Sequence, residues 1–388
     1  MKITDIQASV VGRNVPDSGG STWTFVRVYT DAGLYGTGEC NSAGPIWSRM
    51  ATKEIVMGRY RSLLLGQDPL DIGPLWERLR RDGRYSGGST APMTFALTGI
   101  ENALWDIAGK HYRAPVYRLL GGAFRQRIRL YADCHAGHDN SPAAYAEKAR
   151  EVLAEGYTAV KFDVDGMAPG KHDRYNYTLS ARELDHVVKV IAGVRDAIGP
   201  ENDLAIDCHG QFDLPSAISL AHAVEDLRLM WLEEPLPAEN VDALAELRAK
   251  TSTVICTGEN QYTRYGFREL LERRAADIIM PDLAKAGGIL EGKRIAELAE
   301  IHYVPVAPHN VSSPLGMMAA CHVCAAIPNF LILEFHGRGI AWWGDLCQGD
   351  KPFIREGYMA VADAPGLGIE LDRDAARELL MTGDTLFE

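Results

Sequence analysis

Six ionisable residues recur at nearly constant spacing along the second half of the chain, Asp207, Glu233, Glu259, Asp282, His309 and Glu334, and Asp163 precedes them. From Asp207 onward the separations are 26, 26, 23, 27 and 25 residues. Each closes a short apolar run, so each is expected at the end of a strand. A single strand-ending acid is ordinarily a cap for the following helix. Five acids and a histidine in register ask for more. Gathered at one mouth, Asp207, Glu233 and Glu259 would repel one another and lose hydration at a cost of several kcal/mol, which a bound cation relieves. Three carboxylates are hard oxygen ligands and favour Mg²⁺ or Mn²⁺ over zinc.

The spacing is about that of one strand and one helix, and the sequence between these residues has that pattern. Apolar runs at 128–133, 158–164, 203–208, 229–235, 253–259, 277–282, 303–309 and 330–335 alternate with amphipathic stretches of helical length, among them 142–155, 181–197, 216–226 and 241–250. Ser141 before Pro142 is a helix-start signal, a hydroxyl acceptor followed by a proline where no N–H is needed. Eight such strands predict an α/β protein whose parallel strands close into a (β/α)8, TIM-like barrel over residues 126–349. Active sites form at the C-terminal rim of such a barrel, which the strand-end residues would share. Residues 1–125 follow another pattern. Alternating segments at 3–11 and 24–30, the turn Asp31-Ala32-Gly33 and residues 34–39 make a small antiparallel sheet, and periodicity at 48–65, 71–81 and 91–110 gives helices. This predicts an N-terminal α+β capping domain, ended near Gly121-Gly122 and completed by residues from about 350 to 388, with a last helix at 372–380.

The chain of 388 residues is 46% hydrophobic and 24% charged, enough apolar chain for a large core. A net charge of −12 provides no attraction to phosphate backbones or anionic lipid, which argues against nucleic acid and membranes as partners. No run of about 18 apolar residues reads as a membrane span, and the start, acidic by Asp5, does not read as a signal peptide. Seven scattered cysteines do not pair into a disulfide framework, so a reducing cytoplasm is the expected location. Cys321-His322-Val323-Cys324 has the spacing of a metal or redox motif, but it sits in an apolar helix-like run without a second pair and is read as core packing.

The stretches Ala159-Val160-Lys161-Phe162-Asp163, Ile206-Asp207-Cys208-His209-Gly210, Trp231-Leu232-Glu233-Glu234-Pro235, Thr257-Gly258-Glu259-Asn260, Met280-Pro281-Asp282 through Gly288, and Pro308-His309-Asn310 resemble the successive barrel motifs of the mandelate racemase subgroup of the enolase superfamily. Glu334 fits the eighth strand. The run from Gly99 to Lys110 and Leu119-Leu120-Gly121-Gly122 resemble that family's capping domain. The resemblance implies that Asp207, Glu233 and Glu259 hold Mg²⁺, that His309 is a base oriented by Asp282, and that Lys161 and Glu334 contact a substrate carboxylate. It also implies a homo-oligomer acting on a small-molecule acid. Removing a proton next to a carboxylate places a second negative charge on its oxygens, which a cation, a lysine and a hydrogen-bond donor would stabilise; Glu334 donates only if protonated.

This sequence departs from mandelate racemase at Lys161-Phe162-Asp163, where that enzyme has a Lys-x-Lys pair. One base is then expected, His309, serving the face that in the subgroup takes protons from R-configured carbons. His209 lies two residues after Asp207 and points to the same side. It is either a hydrogen-bond partner near the metal or the acid that protonates a departing C3 hydroxyl. The second role matches the acid-sugar dehydratases of the subgroup, of the galactonate and gluconate type. The expected activity is a sugar-acid dehydratase; a racemase, epimerase or cycloisomerase using Asp163–Lys161 or His209 as second proton carrier is the alternative, and a non-catalytic acid sensor a third. Asp163 could bind a substrate hydroxyl, tune Lys161 or be structural. Specificity is expected in the capping-domain segments 15–22 and 41–47. Asn260 and Lys285 are candidates for supporting contacts, and His135, His138, His172 and Tyr175 lie near the mouth without an assigned role.

Overall fold

A computed structural model describes residues 1–13, 21–40, 46–83, 91–165 and 175–387. Strands β1 (Ile3–Gly12), β2 (Thr22–Thr30) and β3 (Tyr35–Cys40) form the expected antiparallel sheet in that order. Helices α1 (Ile46–Ile55), α2 (Arg61–Leu64), α3 (Ile72–Gly83) and α4 (Ala91–Tyr112) follow, with the short α5 (Val116–Leu119) after them. The continuous helix expected over 48–65 is divided by a π turn at Val56–Tyr60. Gly58, a weak helix former, occupies the wide turn, which keeps Val56 and Tyr60 buried.

The parallel strands are β4 (Arg127–Asp133), β5 (Ala159–Asp163), β6 (Asp203–Asp207), β7 (Trp231–Glu233), β8 (Ile255–Thr257), β9 (Ile278–Ile279) and β10 (Leu333–Phe335). Between them run α6 (Pro142–Ala154), α7 (Ala181–Ile198), α8 (Leu214–Ala223), α9 (Val241–Ala249), α10 (Thr263–Glu272), α11 (Ile289–Ile301) and α12 (Pro314–Ala325). Ser141 caps α6 by accepting from Ala144 N–H, as its sequence signal required. The run 303–309, expected as a full strand, is reduced to bridges from Val306 to Ile279 and Phe330. Pro305 and Pro308 flank it and remove the N–H groups a longer ladder needs. With β10 paired to β4, the ring of eight nevertheless closes.

In the C-terminal segment β11 (Cys347–Gln348) pairs with β14 (Glu370–Leu371), while β12 (Ile354–Arg355) pairs with β13 (Tyr358–Ala360), which joins β4 antiparallel. After α13 (Arg373–Glu378) the chain returns to β1: Gly12 N–H donates to Leu379 O, and Met381 N–H to Val10 O. No helix among the described residues is long and apolar enough to cross a membrane.

Strand alternation explains the height of the site. Tyr131, Ala159, Ala205, Trp231, Met280, Ala307 and Ile332 belong to an apolar cluster inside the barrel. Two residues further along the same strands stand Asp133, Lys161, Asp207, Glu233, Asp282, His309 and Glu334, so a polar layer lies directly on an apolar one. Glu259 lies three residues after Cys256 of that cluster, and the extra residue is absorbed by Gly258 at φ +136°, where an added Cβ would lie 2.7 Å from the Phe267 ring.

Two capping-domain carboxylates dock onto barrel helices. Glu101 of α4 accepts from Ile289 N–H (2.7 Å) and Leu290 N–H (3.0 Å) at the start of α11. Glu39 of β3 accepts from Ser313 N–H (3.1 Å), Gly316 N–H (3.0 Å) and the Ser313 hydroxyl at the start of α12. Helix N-termini carry free N–H groups and partial positive charge, which these acids satisfy. Burial nevertheless pushes both carboxyls up to about 7 against the hydrogen bonds.

The Cys321–Cys324 motif lies within α12, with every residue from Pro314 to Ala325 buried. His322 uses both ring nitrogens: Nδ1 accepts from Tyr117 N–H at 3.2 Å, and Nε2 lies 3.1 Å from Leu367 O, to which it donates. Burial lowers its pKa from 6.5 to about 4, against the raising effect of the Leu367 bond. Between those values the unfolded chain takes a proton that the native ring refuses. Its contribution to stability is therefore whole above pH 6.5 and falls with pH, by about 2 kcal/mol at pH 5. Thermal midpoints of wild type and His322→Gln should differ most at pH 7.5 and converge towards pH 5; a constant difference would show that the ring is not held neutral.

Candidate active site

The residue at the centre is Lys161, on β5 and 3% exposed. Its ammonium lies 2.7 Å from Glu334 Oε1, 3.1 Å from Asp207 Oδ2 and 3.1 Å from Glu233 Oε1. Burial opposes its charge, but the surrounding carboxylates raise its pKa well above the ordinary lysine value. Burial and the Asp207 charge push Glu233 well up, and Trp231 Nε1–H holds its other oxygen at 2.9 Å. Asp207 is held low despite burial by Lys161 and His209. Glu334 Oε2 accepts from Asn310 N–H at 2.7 Å, fixing its orientation.

Across the mouth, His309 Nδ1 lies 2.8 Å from Asp282 Oδ2, as the dyad expectation required. Its Nε2 lies 2.6 Å from Glu259 Oε2 and 3.7 Å from Glu334 Oε2. Although burial works against the charged ring, Glu259 and Glu334 raise its pKa to about 10. Lys285 pairs with Asp282 at 3.2 Å. Asn260 Nδ2 donates to both Glu259 Oε1 (3.0 Å) and Glu234 Oε2 (2.8 Å), so it holds two carboxylates together.

His209, at φ +44°, faces Asp207 Oδ2 at 3.5 Å through Nε2 and Asp165 Oδ1 at 2.9 Å through Nδ1. Burial would lower its pKa, but the Asp165 bond and the charges of Asp207 and Asp163 raise it to about 10. A cleft of about 670 Å³ opens beside His209, lined also by Tyr177, Gln211, Glu234 and Asn260. Asp163, two residues before Asp165, lies 3.7 Å from His135 Nε2, and burial raises its carboxyl to about 6 against the His135 charge. The ion pairs of Lys161 among the described residues do not include Asp163.

The donor chemistry fits a hard divalent cation. Asp207, Glu233 and Glu259 stand at or just past the ends of successive strands, and three carboxylates supply the oxygen ligands such an ion takes. Their arrangement differs from the expected trio around one point. Lys161 takes Asp207 and Glu233, His309 takes Glu259, and one oxygen from each does not come within 4.8 Å of the others. Two groups among the described residues meet that distance: Asp133, His135 and His336, and Asp163, Asp165 and His209.

Asp165, Asp133 and His336 were not singled out in the sequence, yet each continues the two-residue alternation from Asp163, Tyr131 and Glu334. Reading that alternation one step further along each strand finds them. Glu234, buried at φ +34°, breaks the alternation and had no such signal; burial and the Glu259 charge raise its carboxyl to about 7. His138 is exposed and Tyr175 is 83% exposed. His172, residues 15–20 and residues 41–45 lie outside the described residues, as do the side chains of Ile46 and Trp47.

Residues 144–375 match the enolase C-terminal domain-like family, and residues 16–121 the mandelate racemase / muconate lactonizing enzyme N-terminal domain. A D-xylonate dehydratase of Haloferax volcanii is 43% identical over 388 residues, all of this chain and 91% of that protein. A D-galactonate dehydratase of Variovorax paradoxus is 34% identical over 358 residues, 91% of this chain and 89% of its own. The solved structure of a mandelate racemase/muconate lactonizing enzyme-like protein from Rubrobacter xylanophilus superposes with a TM-score of 0.93 at 46% identity, covering 100% of this chain and 99% of that one. With both domain models matched in order and the barrel carrying a Lys, a His–Asp dyad and strand-end acids, the chain belongs to the mandelate racemase/muconate lactonizing enzyme family of the enolase superfamily.

Proposed function

We propose that the chain is a Mg²⁺-dependent hydro-lyase that converts an aldonic acid, such as gluconate, galactonate or xylonate, into its 2-keto-3-deoxy acid. One observation carries the reading: two imidazoles, each backed by a carboxylate, stand on different strands of a mouth that contains a buried lysine. His309 with Asp282 is the base and His209 with Asp165 the acid.

Lys161 and Glu334 receive the substrate carboxylate, and Asp163 a hydroxyl. Asp282 fixes the His309 ring through Nδ1, so the lone pair that takes the C2 proton is on Nε2. Asp207, Glu233 and Glu259 would hold Mg²⁺, whose divalent charge offsets the second negative charge that develops on the carboxylate. His209 gives a proton to the C3 hydroxyl, which leaves as water while the C2–C3 double bond forms. The resulting enol tautomerises to the ketone. Glu259 serves two partners in this reading: its charge is the first of those that keep the His309 ring protonated, and engaging Glu259 as a metal ligand would lift that hold and free Nε2 to take the proton. The alternative epimerase with Lys161 as its second proton carrier needs a neutral amine there, and three carboxylates around Nζ hold it charged.

EDTA should abolish dehydration and Mg²⁺ restore it; full activity in chelated enzyme would exclude the metal. His309→Asn should lose both α-proton exchange with D₂O and dehydration. His209→Asn should lose dehydration by at least 100-fold while exchange at C2 persists, because enolisation precedes loss of the hydroxyl. Exchange at the wild-type rate in His309→Asn would place the base elsewhere. With one base on one face, substrates should be 2R acids; assaying C2-epimeric pairs side by side checks this, and comparable kcat/KM for both members would reveal a second base.

A further inference from the structure

The mechanism leaves unused a polar wall beside the carboxylate-binding residues. Asp133 stands next to Lys161 in the strand register, and Tyr131 next to Glu334. His336, two residues past Glu334, is directed to the same side and meets Asp133 Oδ2 through Nδ1. The Asp133 side chain is only 9% exposed; its Oδ2 is taken by His336, and its Oδ1 has no hydrogen-bond partner. The Tyr131 hydroxyl, fully buried, also has none. His135 Nε2 is 3.9 Å from Asp133 Oδ1 and 3.7 Å from Asp163 Oδ2, separations too long for direct hydrogen bonds and suited to a bridging hydroxyl.

We propose that Asp133, His336 and His135 form the subsite that recognises the hydroxyls of the acid beyond C3. The inference rests on the dehydratase reading, in which Lys161, Glu334, His309 and His209 serve C1 to C3 and leave the distal hydroxyls over. A buried carboxylate with open lone pairs accepts from hydroxyl donors, and an imidazole can donate or accept beside it. His336 Nδ1 shares its proton with Asp133 Oδ2, so that nitrogen has no lone pair for a metal. The wall belongs to the rigid barrel, so selection by chain length is built there and not only in the capping-domain loops.

The test compares a five-carbon acid, D-xylonate, with D-glycerate, which has the same C1–C3 groups and no hydroxyl beyond C3. In Asp133→Asn and His336→Gln, folded by their thermal midpoints, the ratio of kcat/KM for xylonate over glycerate should fall at least 10-fold. An unchanged ratio, whether both activities drop or neither does, overturns the subsite. Calorimetry with Mg²⁺-loaded His309→Asn, which lacks the base and does not consume the acid, gives a readout that needs no turnover, while turnover itself is read on wild type. Xylonate should bind at least 10-fold tighter than glycerate, and equal affinity or no binding overturns the proposal. Xylonate binding of that selectivity without turnover would fault the dehydratase reading alone. A second equivalent of Mg²⁺ or Mn²⁺ bound by wild type and lost in Asp133→Asn would overturn the hydroxyl assignment in favour of a metal.

Discussion

The interaction on which the site depends is the contact of one ammonium with three carboxylates inside a barrel. Lys161 Nζ lies within 3.1 Å of Asp207, Glu233 and Glu334, all of them buried. Isolated carboxylates at that depth would be protonated, and an isolated lysine neutral. Together, Lys161 is held charged and Asp207 is held low, while burial and the Asp207 charge push Glu233 well up. The carboxylates around Nζ hold Lys161 protonated, so it does not act as a neutral base.

The apolar layer beneath makes this possible. Tyr131, Ala159, Ala205, Trp231 and Ile332 close the barrel interior, so the charged groups above them face one way only, into the mouth. The capping domain is held over that mouth by the same electrostatics. Glu39 and Glu101 reach from the N-terminal domain to the first free N–H groups of α12 and α11, the helices that follow His309 and Asp282. Docking of the cap and placement of the dyad are thus neighbouring consequences of one set of helix starts.

The two imidazoles differ in surroundings. His309 is 6% exposed and is fixed from both nitrogens by Asp282 and Glu259. His209 has a side chain 42% exposed and borders the open cleft. A base must reach one proton at a defined position, which rigid burial favours. An acid that releases water gains from a path to solvent. The asymmetry accords with one base and one acid acting on different carbons.

Much of this was legible in the sequence because strands have a period of two and βα units a nearly constant length. Those two periodicities locate Asp207, Glu233, Asp282, His309 and Glu334 without any tertiary information, Lys161 comes from the resemblance to the family's barrel motifs, and the CxxC run shows its core role through apolar flanks. Other features depend on distances between strands. Which carboxylate pairs with which cation is decided by neighbours brought together from 46 to 173 residues apart in sequence, as Lys161 is with Asp207 and Glu334. The sequence likewise did not show that Glu259 turns to His309, since Gly258 displaces it from the regular alternation, or that two prolines would reduce the seventh strand to a bridge. The Asp133–His336 contact joins the first and eighth strands and exists only because the barrel closes. Local chemistry determines which residues face the mouth; ring closure decides which of them meet.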